Sequence, residues 1–292
     1  MLKVFYSKNQ SVGANASFSP SAGKPEQVIK SWKERGQEFE ICEFSPVTRE
    51  DLKIVHEPSY VDGVLDLTHA NGFGNKSPEV AAALPWVAGS MVAATLSALK
   101  NNTVTISPTS GAHHAHYRNG GGFCTFNFLV LAALKARQAG AKKVGIIDLD
   151  CHYGDGTQDI IKTLKLDFIK HYTFGGDPLI HEDPALWLQQ LPEVVNTFSD
   201  YDLIIYNAGV DSHIDDPLGG YLTTEQIQER DSTVLNPFRK KFIPTVVSLA
   251  GGYQKDASGN IPKVLELHGF VFNAAWFTEK LKSPEEEELV YE

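Results

Sequence analysis

Residues 143–157 read KVGIIDLDCHYGDGT, and this stretch decides the fold. Its first half is a continuous apolar run, which fits a strand covered on both faces, the habit of parallel sheets. Its second half turns abruptly to Asp, His, Cys and Gly, as a strand does where it ends in a loop. Five other runs have the same look: KVFYS (3–7), FEICEF (39–44), TVTISP (103–108), DLIIYNAG (202–209) and FIPTVVSLAGG (242–252). Segments of helical character lie between them, at 24–35, 78–100, 125–139, 156–165, 224–240 and 271–282. This alternation predicts an α/β fold, an open, mostly parallel sheet with helices on both faces. Pro85 falls inside the 78–100 segment, so that region is expected to break or kink there.

The chain has 292 residues, 42% of them hydrophobic and 21% charged, which excludes disordered, collagenous and low-complexity classes. With no linker and no repeat, one domain is expected over 1–282, followed by an acidic, solvated tail at 283–292. The net charge is −10, and Glu285, Glu286, Glu287, Glu288 and Glu292 supply five of those charges. The remaining −5 argues against a nucleic-acid partner. Cys42, Cys124 and Cys151 form no CxxC pair, so neither a disulfide framework nor a cysteine zinc cage is expected. No eighteen-residue apolar run occurs, and MLKVFYSKNQ lacks an apolar leader core, so we expect a cytoplasmic protein without a membrane partner.

Ligands of an open parallel sheet bind beyond the carboxyl ends of its strands. There the chain places SGAHHAHYRNGGGF (110–123), CHYGDGT (151–157), VDSHIDDPLGG (210–220) and Tyr253. Asp148, Asp150 and His152 are spaced by two, so strand alternation puts them on one side and turns Cys151 away. Asp150 and His152 can chelate one ion, with Asp211 as a third ligand from another strand end. Three protein ligands and an open position make a catalytic rather than a structural zinc pattern. The plainer alternative is that these aspartates cap helices and turns. His113 and His114 suit acid and base work, and such a base needs an orienting carboxylate, for which Asp148 and Asp155 are candidates. Asp155 equally fits a plain helix cap. Tyr253 can reach a developing oxyanion. Gly120–Gly122 lacks a phosphate-binding spacing and instead permits a tight turn. His171, His181 and Glu182 read as loop residues, and His116 has no role.

In order and spacing, GAHHAHYRNGGGFCTFN, DLDCHYGDGTQD, NAGVDSHIDDPLGGY and AGGYQ resemble the zinc-dependent histone deacetylase family of the arginase-like fold. VDSHIDDPLGG looks most like its class II and bacterial deacetylase or acetylpolyamine amidohydrolase branch, and FSPSAGKPEQV and IVHEPSYVDGVLDL extend the likeness towards the N-terminus. The resemblance implies zinc, or ferrous iron, on Asp150, His152 and Asp211. It implies His113 and His114 as the catalytic pair, Asp148 and Asp155 as their carboxylate partners, and Tyr253 as the oxyanion donor. It further implies Gly122 and Phe123 as a wall of the acyl-lysine tunnel, with a structural potassium ion at Asp148. Tyr153 stands where many relatives carry a second histidine, and a second tunnel aromatic is expected near 172–190. The implied activity is hydrolytic removal of an acyl group, acetyl first, from a lysine side chain or an acetylated small amine such as a polyamine. The sequence leaves the oligomeric state unread. Two rivals stand beside this reading. An arginase-like di-manganese ureohydrolase needs a second ligand set, and His213 sits where an aspartate would bridge two metals. A silent acyl-ligand-binding protein of the same fold would not need every reacting group in place.

Overall fold

In the computed structural model, which describes residues 1–13 and 17–280, all six apolar runs become strands; the tail expected at 283–292 lies outside the described residues. The strands are β1 (Lys3–Phe5), β2 (Glu40–Cys42), β3 (Val104–Ser107), β4 (Val144–Asp148), β5 (Ile169–Thr173), β6 (Leu203–Asn207) and β7 (Thr245–Ser248). They form one sheet in the order β2-β1-β3-β7-β6-β4-β5, and every pairing is parallel. The helices are α1 (Lys24–Glu34), α2 (Arg49–Lys53), α3 (Pro58–Leu65), α4 (Pro78–Asn101), α5 (Phe128–Gln138), α6 (Asp155–Leu164), α7 (Leu179–Glu182), α8 (Pro184–Asn196), α9 (Thr224–Lys240) and α10 (Pro262–Lys280).

Every residue of β3, β4, β6 and β7 is buried, which is why these strands read as unbroken apolar runs. Successive side chains serve opposite faces. Ile147, Tyr206 and Val247 join one core with Val234 of α9 and Phe272 of α10, while Ile146, Ile205 and Val246 join the other with Met91 of α4 and Leu129 of α5. Each such side chain contributes about 1.5–3 kcal/mol on burial.

The departures have physical causes. β5 escapes the apolar-run test because IKHYT is a half-buried edge strand with Lys170 and His171 in it. α8 carries Pro192 in its interior, which masks its pattern, and α10 begins at Pro262 rather than at 271. Pro85 does not divide α4. Its carbonyl accepts the Val47 N–H at 3.1 Å, and packing of the helix on α5, β1, β3 and β7 offsets the proline's cost of about 3 kcal/mol. α4 is also long and apolar enough to cross a membrane, although Gly89, Ser90 and Thr95 interrupt its apolar run; half of its apolar window is buried inside the fold.

The register places Ser107, Ser248, Asn207, Asp148 and Thr173 abreast at the carboxyl edge of the sheet. On this polar row the site is built.

Candidate metal centre and catalytic cavity

A hydrogen-bonded chain runs along the row. The Ser248 hydroxyl donates to Asn207 Oδ1 at 2.6 Å, and Asn207 Nδ2 donates to Asp148 Oδ1 at 2.7 Å. That oxygen also accepts the Asp150 N–H at 3.2 Å, while Asp148 Oδ2 faces His113 Nδ1 at 2.8 Å. An ionised carboxylate only accepts, so His113 Nδ1 carries a proton and turns Nε2 towards Asp150 Oδ1, 3.5 Å away. Beside it, His114 Nδ1 meets Asp155 Oδ1 at 2.7 Å, and the two rings lie 4.1 Å apart. Asp155 is the first residue of α6 and Gly154 holds the N-cap position without a side-chain cap; of the backbone donors Asp155 Oδ1 accepts only the adjacent Gly156 N–H, so the plain helix-cap alternative does not hold.

The two imidazoles are driven apart electrostatically. Burial pushes His113 down, but the carboxylates of Asp150 and Asp148 outweigh it and raise its pKa to about 10. Burial and the His113 charge hold His114 below the ordinary histidine value, against the pull of Asp155. At neutral pH one ring keeps its proton and the other is free to accept one. Gly122 lets the 120–124 turn close on this pair: its φ is +52°, and a Cβ there would lie 2.6 Å from His114 Cδ2. Phe123 follows in the left-handed region at φ 65°, a strain of order 1–3 kcal/mol that aims its ring into the cavity.

The candidate metal ligands converge by a different route from the one expected. β4 ends at Asp148, so alternation no longer applies at 150–152; a bend brings the groups together instead. His152 Nδ1 lies 3.0 Å from Asp150 Oδ1 and 3.1 Å from Asp211 Oδ2. Cys151 is consequently not turned away: Sγ sits 3.3 Å from His152 Nδ1, and the four ligand atoms lie within 4.8 Å of one another, the one such group among the described residues. Burial, with the charges of Asp211 and Asp150, pushes the Cys151 pKa far up, so in the metal-free chain Sγ is a thiol.

The donor set fits a divalent ion. Asp150 and Asp211 are almost wholly buried, and burial together with the Asp150 charge raises the Asp211 pKa to about 7. Two carboxylates this close need a cation between them, and two oxygens with one imidazole suit zinc or ferrous iron.

Tyr253 and Phe123 line the same cavity as His113 and Asp150. The Tyr253 backbone N–H donates to Asp216 Oδ2 at 2.8 Å, and its hydroxyl has no hydrogen-bond partner among the described residues. Burial and the charges of Asp150 and Asp211 push this phenol up, so it stays protonated and can only be a donor to an anion. The turn before it needs glycine, because Gly251 has φ +55° and a Cβ there would lie 2.4 Å from Asp211 Cγ.

Of the further contributors, Phe18 and Lys24 stand in FSPSAGKPEQV, where the resemblance named no role, and Phe73 carries no motif. Lys24 is fully buried and donates to the Gly251 carbonyl at 2.6 Å; burial draws its pKa down to about 7 against Asp211, Asp150 and Asp216. Phe18 stacks with Phe123 and Tyr253 at 6.4 and 6.0 Å, and Phe73 meets Phe123 at 6.2 Å. The rings packed on Phe123 thus come from outside 172–190, where a second aromatic was expected. There Tyr172 bonds Asp177 and Trp187, and Phe174 packs on Trp187 in the core. His171 belongs to β5, 3.9 Å from Asp148, whereas His181 and Glu182 lie on α7, with the Tyr221 hydroxyl at His181 Nδ1. His116 lies on the rim near Asp155 and Asp159. Asp215 N–H and Gln254 occupy His213 Nδ1, and Thr224 occupies Nε2, so this residue serves no second metal.

His56 braces the histidine loop from below. The Asn127 N–H donates to Nε2 at 2.8 Å, so Nδ1 bears the proton and donates to the His116 carbonyl at 2.9 Å. Burial, only partly opposed by backbone bonds, lowers its pKa to about 4. An imidazole depressed in the folded state contributes stability above its unfolded pKa of about 6.5 that is lost as pH falls towards 4. At ~1.4 kcal/mol per unit the loss is about 3 kcal/mol. Urea midpoints at pH 7 and 4.5 should therefore fall less steeply in His56→Gln than in the wild type; equal falls refute the assignment.

Comparison with known proteins gives the same architecture. The chain is 29% identical over 253 residues to an uncharacterized protein of Picosynechococcus sp., across 77% of this chain and 81% of that one. It is 28% identical over 266 residues to Histone deacetylase 2 of Arabidopsis thaliana, across 79% of this chain and 67% of the relative. An acetylpolyamine aminohydrolase structure from Burkholderia pseudomallei superimposes with a TM-score of 0.71 at 17% identity, covering 94% of this chain and 98% of that one, which is a likeness of fold. The profile of the histone deacetylase domain matches residues 20–168 and 184–265, most of the chain and all four strand ends that meet at the site, and on that ground the chain belongs to the histone deacetylase family.

Proposed function

We propose that this protein is a metal-dependent amidohydrolase that removes an acyl group, acetyl first, from an acylated lysine side chain or an acetylated small amine. The observation that carries the reading is the convergence of Asp150, His152 Nδ1 and Asp211 beside His113, His114 and Tyr253. Asp150, His152 and Asp211 would hold a divalent ion, which when bound would supply Lewis-acid polarisation of the amide carbonyl and a more acidic water, from ~15.7 to ~7 in well-studied zinc sites.

The remaining work belongs to the chain's own groups. His114, kept neutral and with Nδ1 tied to Asp155, offers Nε2 to take the water's proton and return it to the departing amine. His113, protonated and anchored on Asp148, stabilises the developing negative charge. The Tyr253 hydroxyl donates to the same oxyanion. Phe18, Phe73 and Phe123 enclose the alkyl stem of the substrate and exclude water. A potassium ion beside Asp148 would draw on backbone carbonyls, since both oxygens of that carboxylate face N–H groups.

Histone deacetylase 2 and the acetylpolyamine aminohydrolase support acetyl-lysine and acetylated polyamines as the substrates to try. The test is acetate release from acetyl-lysine peptides and acetylated polyamines with bound metal quantified. We expect release on at least one panel, abolished by chelator and restored by zinc or ferrous iron. Full metal loading with no amide hydrolysed overturns the proposal.

A further inference from the structure

A buried guanidinium that none of these steps uses lies among the ligand-bearing loops. Arg230, on α9, has no exposed surface. Its Nη1 donates to the Gly209 carbonyl at 2.6 Å, to the Ser212 hydroxyl oxygen at 3.0 Å and to the Leu149 carbonyl at 3.3 Å. Leu149 directly precedes Asp150, and Gly209 and Ser212 flank Asp211 in the chain. One nitrogen thus ties the end of β4 to the end of β6, at the two points from which the carboxylates spring.

The other side of the fork is fixed with equal care. Nε and Nη2 both donate to Asp231 Oδ1, at 3.0 and 2.8 Å, and the Tyr206 hydroxyl donates to the same oxygen at 2.5 Å. Tyr206 lies on β6, so the strand that delivers Asp211 also locks the carboxylate that aims Arg230. Only arginine suits this position. Its rigid fork meets a carboxylate on one edge and backbone carbonyls on the other, whereas a lysine ammonium gathers its donors at one point. Buried carbonyls without a donor are costly, so loss of the fork would let the two loops separate in search of partners.

We propose that Arg230 is a positioning residue that sets the separation of Asp150 and Asp211, and with it the strength of metal binding. The inference rests on the proposed role of those residues as metal ligands. Its test is the zinc affinity of the full chain, measured by competition with a chromogenic chelator, for the wild type, Arg230→Lys and Tyr206→Phe. Melting of the metal-free proteins is followed in parallel.

Arg230→Lys keeps the charge but not the span, and is expected to bind zinc roughly 10–100-fold more weakly, as loss of an outer-sphere partner typically does. Tyr206→Phe, which only loosens Asp231, should show a smaller loss in the same direction, and decides the matter if the lysine variant does not fold. A folded Arg230→Lys protein that melts lower yet binds zinc as the wild type does overturns the inference and leaves the proposed activity standing. A wild-type chain that binds no zinc defeats both.

Discussion

The Asp211→Asn protein is expected to fold, to bind metal more than ~100-fold more weakly than the wild type, and to melt higher than the wild type when both are stripped of metal. The affinity loss must exceed the 10–100-fold typical of removing an outer partner, because here a charged ligand itself is lost. Folding survives because asparagine keeps the oxygen that accepts the Cys151 N–H at 3.1 Å. The melting order follows from sign. Burial and the Asp150 charge raise the Asp211 pKa to about 7, so above that pH the ionised pair opposes folding in the metal-free chain. Asparagine removes the repulsion, worth roughly 2–4 °C for each kcal/mol relieved. Wild type and variant should therefore exchange rank when metal is added. Melts at pH 8 with and without zinc check this. A variant that still holds one tight metal per chain, or that melts below the wild type in both conditions, removes Asp211 from the ligand set.

Tyr253→Phe separates catalysis from binding. Its backbone N–H still bonds Asp216, and a phenyl ring still stacks on Phe18 and Phe123, so the loop and the cavity wall survive. Only the hydroxyl, the proposed donor to the oxyanion, is lost. Turnover should fall roughly 10²–10³-fold, with metal content and KM little changed, because the bond forms in the transition state and not in the ground state. A comparable fall in metal content would assign Tyr253 to holding the site together instead. Near-normal turnover would remove it from the chemistry altogether.

What the sequence made legible follows from where each residue stands. Asp150, His152, Asp211, His113, His114 and Tyr253 all come directly after buried parallel strands, and the loops after such strands converge at one edge. Phe18 and Phe73 reach Phe123, Lys24 reaches Gly251 and Arg230 reaches Gly209 from a loop or a helix far away in the chain; the stretch FSPSAGKPEQV holds Phe18 and Lys24 without marking what they touch, and no spacing marks Phe73 or Arg230. Cys151 was misjudged because strand alternation was carried past Asp148, where the extended backbone stops. β5 was invisible because an edge strand needs only one apolar side.

The bond from Lys24 to the Gly251 carbonyl joins residues 227 positions apart. Phe18, from the same early segment, stacks on Tyr253, more than two hundred residues further along the chain. A chain cut anywhere between residues 24 and 251 therefore keeps neither the bond nor the stack, and this corner of the molecule is completed only when two segments remote in sequence have met.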